Sequence, residues 1–192
     1  MNDIVIDRLV EEYGVEEIYS SAIEGGIFEV FMDLYSSKHK YTPYEGCTLI
    51  HLAVVHNNLE VLKFLTNEGC DLNAGDVDGL TALHFAVISK SNQCFDYLLS
   101  HPSVDMAAKT NDGNTFLHYA AMVNNMYVAM HRDRHVMRNV FNMKNNAGKY
   151  CGELVTDSLY SNGVYSANLE LFNYSNTVAP EGIKIKYKEE GE

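Results

Sequence analysis

The sequence predicts an all-α solenoid of stacked helix–turn–helix units joined by β-hairpin loops, and three observations carry that reading. The stretch Asp78-Gly79-Leu80-Thr81-Ala82-Leu83-His84-Phe85-Ala86 recurs upstream as Glu45-Gly46-Cys47-Thr48-Leu49-Ile50-His51-Leu52-Ala53 and downstream as Asp112-Gly113-Asn114-Thr115-Phe116-Leu117-His118-Tyr119-Ala120. The step from His51 to His84 is 33 residues and from His84 to His118 it is 34, with Gly, Thr and Ala in the same register. Self-similarity at such a period marks an array in which each unit buries its apolar face only against its neighbours. Between the copies, apolar residues fall at helical spacing, as in Leu59, Val61, Leu62, Phe64 and Leu65. Finally, a chain of 192 residues that is 46% hydrophobic suits one domain with an ample core.

In chain order, Ile4, Ile6, Leu9, Val10 and Tyr13 predict a short amphipathic helix over 3–13, stopped by Gly14. Ala22 to Val30 aligns with Ala53 to Val61 at an offset of 31 and lacks the Thr-x-x-His signature. Residues 1–42 therefore read as an N-terminal helix and a degenerate capping repeat, since terminal units of an array are often atypical. The first clear repeat covers 43–75: Thr48 caps an inner helix running to about His56, Asn57-Asn58 turns the chain, and Gly69 ends the outer helix. The second covers 76–109, with Phe95, Tyr97, Leu98 and Leu99 in its outer helix and His101-Pro102-Ser103 as the stop. The third, 110–144, has an intact inner helix through Met122. Its outer helix begins with Met126, Tyr127 and Val128 and then meets the irregular run His131-Arg132-Asp133-Arg134-His135. A degenerate C-terminal repeat spans 145–175, with Tyr150 in the place of Thr and Glu153 in the place of His. In the tail, 176–192, Ile183 to Lys188 alternates apolar and basic residues in the manner of an exposed strand.

A formal net charge of -12 argues against nucleic acid and against an anionic membrane surface. Cys47, Cys70, Cys94 and Cys151 are scattered without a C-x-x-C pair, and Met1-Asn2-Asp3 shows no signal-peptide features. The expectation is a chain with reduced thiols in the cytoplasm or nucleus. No Gly-x-Ser-x-Gly, phosphate-cradling loop or zinc-ligand spacing is present, so no enzyme, cofactor, metal or small-molecule substrate is expected. His131 and His135 would share a face of a helix, but they lack the Glu of a zinc-protease motif and flank Arg132 and Arg134; a solvated basic face is expected there. The Asp78-Gly79 and Asp112-Gly113 pairs are read as hairpin turns, in which Gly supplies a positive φ.

These three aligned copies of Gly-x-Thr-x-x-His-x-Ala resemble the ankyrin-repeat family, over roughly residues 43–125. The sequence departs from the family in carrying Leu49, Ala82 and Phe116 where Pro usually opens the inner helix. The resemblance implies that each repeated His bonds the Thr three residues earlier and the neighbouring hairpin backbone. It also implies that the hairpin tips and the exposed side of the inner helices grip a protein partner. Those positions are Tyr44, Glu45, Cys47, Val55 and His56 in the first clear repeat, and Val77, Asp78, Leu80, Ile88 and Ser89 in the second. In the third they are Asn111, Asp112, Asn114, Met122 and Val123. The rows Val55/His56, Ile88/Ser89 and Met122/Val123 are largely apolar, the pattern of a binding surface unless the N-terminal segment or the tail covers it. Arg132, Arg134, His135 and Arg138 form a secondary basic patch in an acidic chain, suited to an acidic segment.

At a finer level, the few irregular repeats and the repeat end Leu98-Leu99-Ser100-His101-Pro102-Ser103-Val104-Asp105 are similar to short inhibitor-of-κB-like ankyrin proteins of large DNA viruses and polydnaviruses. That resemblance implies a Rel-family transcription factor as partner and suppression of host immune signalling. The Asp-Ser-Gly phosphodegron of host inhibitors is absent, as is their Pro-rich acidic segment, since Pro43, Pro102 and Pro180 are the only prolines. The alternative is an adaptor that recruits its partner to a ubiquitin ligase or scaffold through the segment after Gly148.

Overall fold

The computed structural model describes residues 11–12, 14–26, 28–36, 48–131 and 134–154. The described helices are α1 (Val15–Glu24), α2 (Phe28–Ser36), α3 (Leu49–Val55), α4 (Leu59–Asn67), α5 (Ala82–Ile88), α6 (Asn92–Ser100), α7 (Phe116–Met122), α8 (Met126–Ala129) and α9 (Arg138–Phe141). Two 3-10 turns, Arg134–Met137 and Cys151–Leu154, complete the order. Helices α3, α5 and α7 pack side by side as an inner layer, and α1 joins it against α3. Each inner helix packs on the outer helix that follows it, α4, α6 or α8, so the architecture is the expected all-α solenoid.

The core lies between the two layers because each helix is apolar on one face. Val61, Leu62 and Leu65 of α4, and Cys94, Phe95 and Leu98 of α6, are buried at i, i+1 and i+4 against Ala53, Val54, Ala86 and Val87 of the inner helices. Each fully buried Leu contributes roughly 1.5–3 kcal/mol relative to exposure. At the N-terminal end, Phe64 of α4 meets Phe28, Phe31 and Tyr35 of α2 edge to face, with centroids 5.8, 6.0 and 5.2 Å away.

The turn between inner and outer helix is made the same way three times, by a residue with positive φ: Asn57 at 51°, Lys90 at 57° and Asn124 at 49°. In the first and third the following Asn does two jobs. Asn58 Oδ1 caps α4 by accepting from the Val61 N–H (3.1 Å), while its Nδ2 donates to the Ile23 carbonyl of α1 (2.9 Å). Asn125 repeats this with the Val128 N–H (3.3 Å) and the Val87 carbonyl (2.9 Å). Helix α4 ends in a Schellman motif: Gly69, φ 82°, donates to the Thr66 carbonyl, and Cys70 to that of Leu65.

Two expectations change. Outer helix α8 is four residues long, where α4 and α6 are nine, and Met130 caps its C-terminus. His131 and His135 therefore do not share a helical face; His135 lies in the 3-10 turn that follows. The hairpins are also shorter than strands: among the described residues the only β pairing is an isolated bridge between Lys144 and Tyr150. The expected helix over 3–13, apart from Glu11 and Glu12, and the strand at Ile183–Lys188 lie outside the described residues.

Candidate partner-binding surface

The surface is built on a network centred on the repeated histidines. Thr81 is extended, and α5 starts after it in a capping box in which His84 takes the place of the usual Glu or Gln. His84 Nδ1 accepts from the Thr81 N–H (3.2 Å) and hydroxyl (2.9 Å), which leaves Nε2 as the donor, to the Asn114 carbonyl of the next hairpin (3.3 Å). His118 does the same with Thr115 (3.1 and 2.8 Å) and the Lys149 carbonyl (3.0 Å). His51 accepts from the Thr48 N–H and donates to the Ala74 carbonyl, both at 3.0 Å. His84 and His118 bond within their repeat by one nitrogen and to the next repeat by the other, whereas His51 reaches Ala74 at the end of its own repeat. Burial lowers the pKa of all three, that of His84 to about 4, so the rings are neutral at pH 7.

Glu153 continues this pattern at the C-terminal end. Its Oε2 accepts from the Tyr150 N–H at 2.7 Å, the bond that each His makes through Nδ1. A carboxylate has no counterpart of the Nε2–H donor, so the His-type bond to a following hairpin ends at this position.

The hairpin tips are tied to one another. In the second repeat the Gly79 N–H donates to the Asp76 carbonyl (3.0 Å) and the Asp76 N–H to the Leu80 carbonyl (3.1 Å), with Gly79 at φ 79°. Gly113 and Gly148, both at φ 75°, stand at the same point of the next two tips. Asn111 then donates from its backbone to the Asp78 carbonyl (2.9 Å) and from Nδ2 to the Val77 carbonyl (2.9 Å). Asn146 repeats this with Asp112 (3.0 Å) and Asn111 (2.9 Å). The tips thus form a hydrogen-bonded rail, which sequence reasoning missed; the recurrence of Asn at the tip position of two successive repeats was the signal for it.

On this frame Val77 is 61% exposed, and Asp78, Asp112, Val55 and Ser89 are exposed. Leu80, Ile88, Met122 and Val123 are half-buried, and His56 is half-buried with Nε2 3.4 Å from Ser20 Oγ of α1. Asn114 requires correction. It is only 7% exposed: its carbonyl takes the His84 bond, and its Oδ1 accepts from Asn145 Nδ2 at 2.8 Å. It belongs to the framework and offers no surface. Asn111 is exposed, but its amide holds the rail. Tyr44, Glu45 and Cys47 lie outside the described residues, as do Arg132 and the side chains of Arg134 and His135. Arg138 is exposed.

His131 does not sit on a solvated basic face. Its side chain is 8% exposed, edge-on to Phe95 (5.5 Å) and Tyr127 (5.8 Å), and its Nε2 meets Asp96 Oδ1 at 3.1 Å. The other oxygen of Asp96 accepts from the Tyr127 hydroxyl at 2.7 Å. Among the described residues no group of three or more His, Cys, Asp or Glu is placed to hold a metal ion. No helix among them is long and apolar enough to cross a membrane. Burial pushes the Cys94 and Cys151 thiols up to about 12.

A family model of ankyrin repeats in three copies matches residues 19–110 and 50–131. Among curated relatives, the human transient receptor potential cation channel subfamily A member 1 is 33% identical over 87 residues, covering 45% of this chain and 8% of the channel protein. The nuclear factor NF-kappa-B p105 subunit of Gallus gallus is 34% identical over 119 residues, 59% of this chain and 12% of the relative. The neurogenic locus notch homolog protein 1 of Mus musculus is 35% identical over 86 residues, 45% of this chain and 3% of the relative. The chain thus spans a small fraction of each of these proteins.

Proposed function

The chain belongs to the ankyrin-repeat family, a family of protein-interaction modules, and from that premise we propose that it works without catalysis, by holding a Rel-type transcription factor on its hairpin tips and inner helices. The observation that carries the binding reading is the rail of bonded tips beside exposed apolar residues. Val77 projects from a tip whose backbone is fixed by Asn111, and Val55 stands exposed at the end of α3. A surface held in place before binding loses little conformational freedom on association. The Rel-type partner is supported by the similarity to NF-kappa-B p105, which extends over more of this chain than the similarity to the channel or to the notch homolog. It is supported also by the repeat end at Leu98–Asp105 that resembles viral inhibitors. In this reading the chain sequesters the factor in the cytoplasm or nucleus of a host cell and dampens immune signalling.

The test is capture of purified Rel-homology protein by the wild-type chain and by the double variant Val55→Glu, Val77→Glu. Both side chains are exposed, so circular dichroism should be unchanged. Capture by wild type and its loss in the variant supports the reading. Capture that survives the substitutions removes the groove from the argument, and no capture at all removes the Rel-type partner. Recovery of a ligase subunit or scaffold in its place would favour the adaptor alternative.

A further inference from the structure

The tips at Gly79, Gly113 and Gly148 share one bonding scheme and differ in charge. The residue before the glycine is Asp78, Asp112 and Ala147 in turn. The residue that enters the tip is Gly75, Lys109 and Lys144, and the one after the glycine is Leu80, Asn114 and Lys149. Asp78, Asp112 and the three lysines are all exposed. Lys109 sharpens the difference. It belongs by sequence to the tip of Asp112, yet its Nζ donates to the Lys144 carbonyl at 2.8 Å, so its charge stands at the last tip. Lys144 is bridged to Tyr150, and its own Nζ lies 4.8 Å from the centre of the Tyr150 ring. Asn145 closes that tip on Lys149, donating its N–H to the Lys149 carbonyl and accepting from the Lys149 N–H through Oδ1, both at 3.0 Å. Three lysines therefore gather at one tip of a chain whose net charge is -12.

The bonds of Asn111 to Asp78 and Val77, and of Asn146 to Asp112 and Asn111, make these tips one continuous rail. Along it, the carboxylates of Asp78 and Asp112 give way to the ammonium groups of Lys109, Lys144 and Lys149. Among the described residues none of these five side chains forms an ion pair, so the opposite charges of the rail do not neutralise one another. Stacked helices stand about 8–10 Å apart, so the tips at Gly79 and Gly148 are roughly 20 Å from each other, the span of about six residues of extended chain.

We propose that the rail is a bipolar docking strip for an extended segment of the protein partner, an inference that rests on the tip-binding reading above and adds the chemistry of what is bound. The segment carries acidic residues where it crosses Lys109, Lys144 and Lys149. About six positions away it carries basic residues, where it crosses Asp78 and Asp112 beside the exposed Val77. Complementary charge at both ends fixes the direction and register of the segment. A segment of one sign meets repulsion at one end, which excludes it.

The experiment uses the full chain and three fluorescein-labelled synthetic peptides, with binding read by fluorescence anisotropy. The block peptide has three lysines, a three-residue spacer of valine and serine, and three glutamates. The second has the same composition with lysine and glutamate alternating, and the third has lysine in place of every glutamate. Wild type should bind the block peptide about tenfold or more tightly than the alternating one, and more tightly than the all-lysine one despite the net charge of the chain, with affinity that falls as salt rises. In Lys144→Glu, Lys149→Glu the order should reverse in favour of the all-lysine peptide. Lys149→Glu alone, which leaves the Lys144–Tyr150 contact in place, should shift the preference the same way, and circular dichroism checks that both variants fold. All-lysine binding to wild type as tight as block binding, equal binding of the alternating peptide, or no binding of the block peptide would overturn the strip. If one of those results accompanies Rel-homology capture that Val55→Glu, Val77→Glu abolishes, the strip fails and the tip-binding reading stands. The expected peptide order without such capture supports the strip and removes only the Rel-type partner.

Discussion

The inner helices α3, α5 and α7 are each seven residues long and each begins after a threonine, whereas the outer helices α4, α6 and α8 run nine, nine and four residues. The uniform side carries the buried histidines, the capping boxes and the tip-to-tip bonds. The variable side is joined to its neighbours mainly by apolar packing, the asparagine turns and exposed polar contacts such as Asp96 with Tyr127 and His131. Apolar packing is non-directional and tolerates a shortened helix, while a ring that must bond at both nitrogens does not tolerate a shift. The solenoid can therefore lose more than half of one outer helix and keep its repeat.

The sharpest way to break this comparison is to remove one histidine from each side. His84→Ala leaves the Thr81 N–H without its partner in a buried site, takes from the Asn114 carbonyl one of its two donors (the Thr110 N–H remains), and opens a cavity. It should cost roughly 3 kcal/mol, measured by urea denaturation. His131→Ala loses a contact with a half-exposed carboxylate and some packing on Phe95, and should cost about 1 kcal/mol or less. Equal costs would mean that the outer layer depends on its polar contacts as much as the inner one does.

Acid tests the same division without mutation. The folded pKa values of His51, His84 and His118 lie below the ordinary histidine value of 6.5 because burial disfavours the charged ring. On acidification the unfolded chain therefore binds protons first. The stability these rings contribute is complete above pH 6.5 and is lost as pH falls toward their folded values, about 4 for His84. His84 alone accounts for roughly 3 kcal/mol across that window. The denaturation midpoint should fall between pH 7 and 4.5, and a His84→Gln chain should show a shallower fall. An identical pH slope in the two chains would contradict the network.

The parts of this fold that are legible in the sequence are those whose bonds are local and repeated. Thr-x-x-His closes within one turn, so its spacing shows in the sequence, and so does its Glu153 variant. Asn114 reads as free surface in the sequence because its partner Asn145 is 31 residues away, on the next tip. His131 reads as solvated for the same reason, since Asp96 is 35 residues back. The run His131-Arg132-Asp133-Arg134-His135 shows that the outer helix is disturbed. It does not show that α8 ends by Ala129, because that depends on how the ring folds back onto the preceding repeat. Among the groove residues, the apolar rows are visible as a pattern, but the half-burial of Ile88 and Met122 is not.

The smallest effect separates interior from terminal tips within the uniform side. Gly113 and Gly148 share φ 75°, so replacing either by Ala forces a side chain into the left-handed region and costs about 1 kcal/mol. Their surroundings differ. A Cβ on Gly113 would collide with the Asn146 side chain and stand 2.8 Å from the Asn146 backbone nitrogen, which is bonded to the Asp112 carbonyl. Rotating the Asn146 side chain cannot relieve a backbone contact, so the rail itself must open. A Cβ on Gly148 meets nothing within 4 Å. Gly113→Ala should therefore destabilise by roughly 2 kcal/mol and Gly148→Ala by about half of that, both read as shifts in the urea midpoint. Gly113→Ala should also loosen the tips it joins and speed amide exchange at Asn146, whereas Gly148→Ala should leave that amide protected. Equal shifts with unchanged exchange would show that only local strain matters, and that the tips do not act as a connected rail.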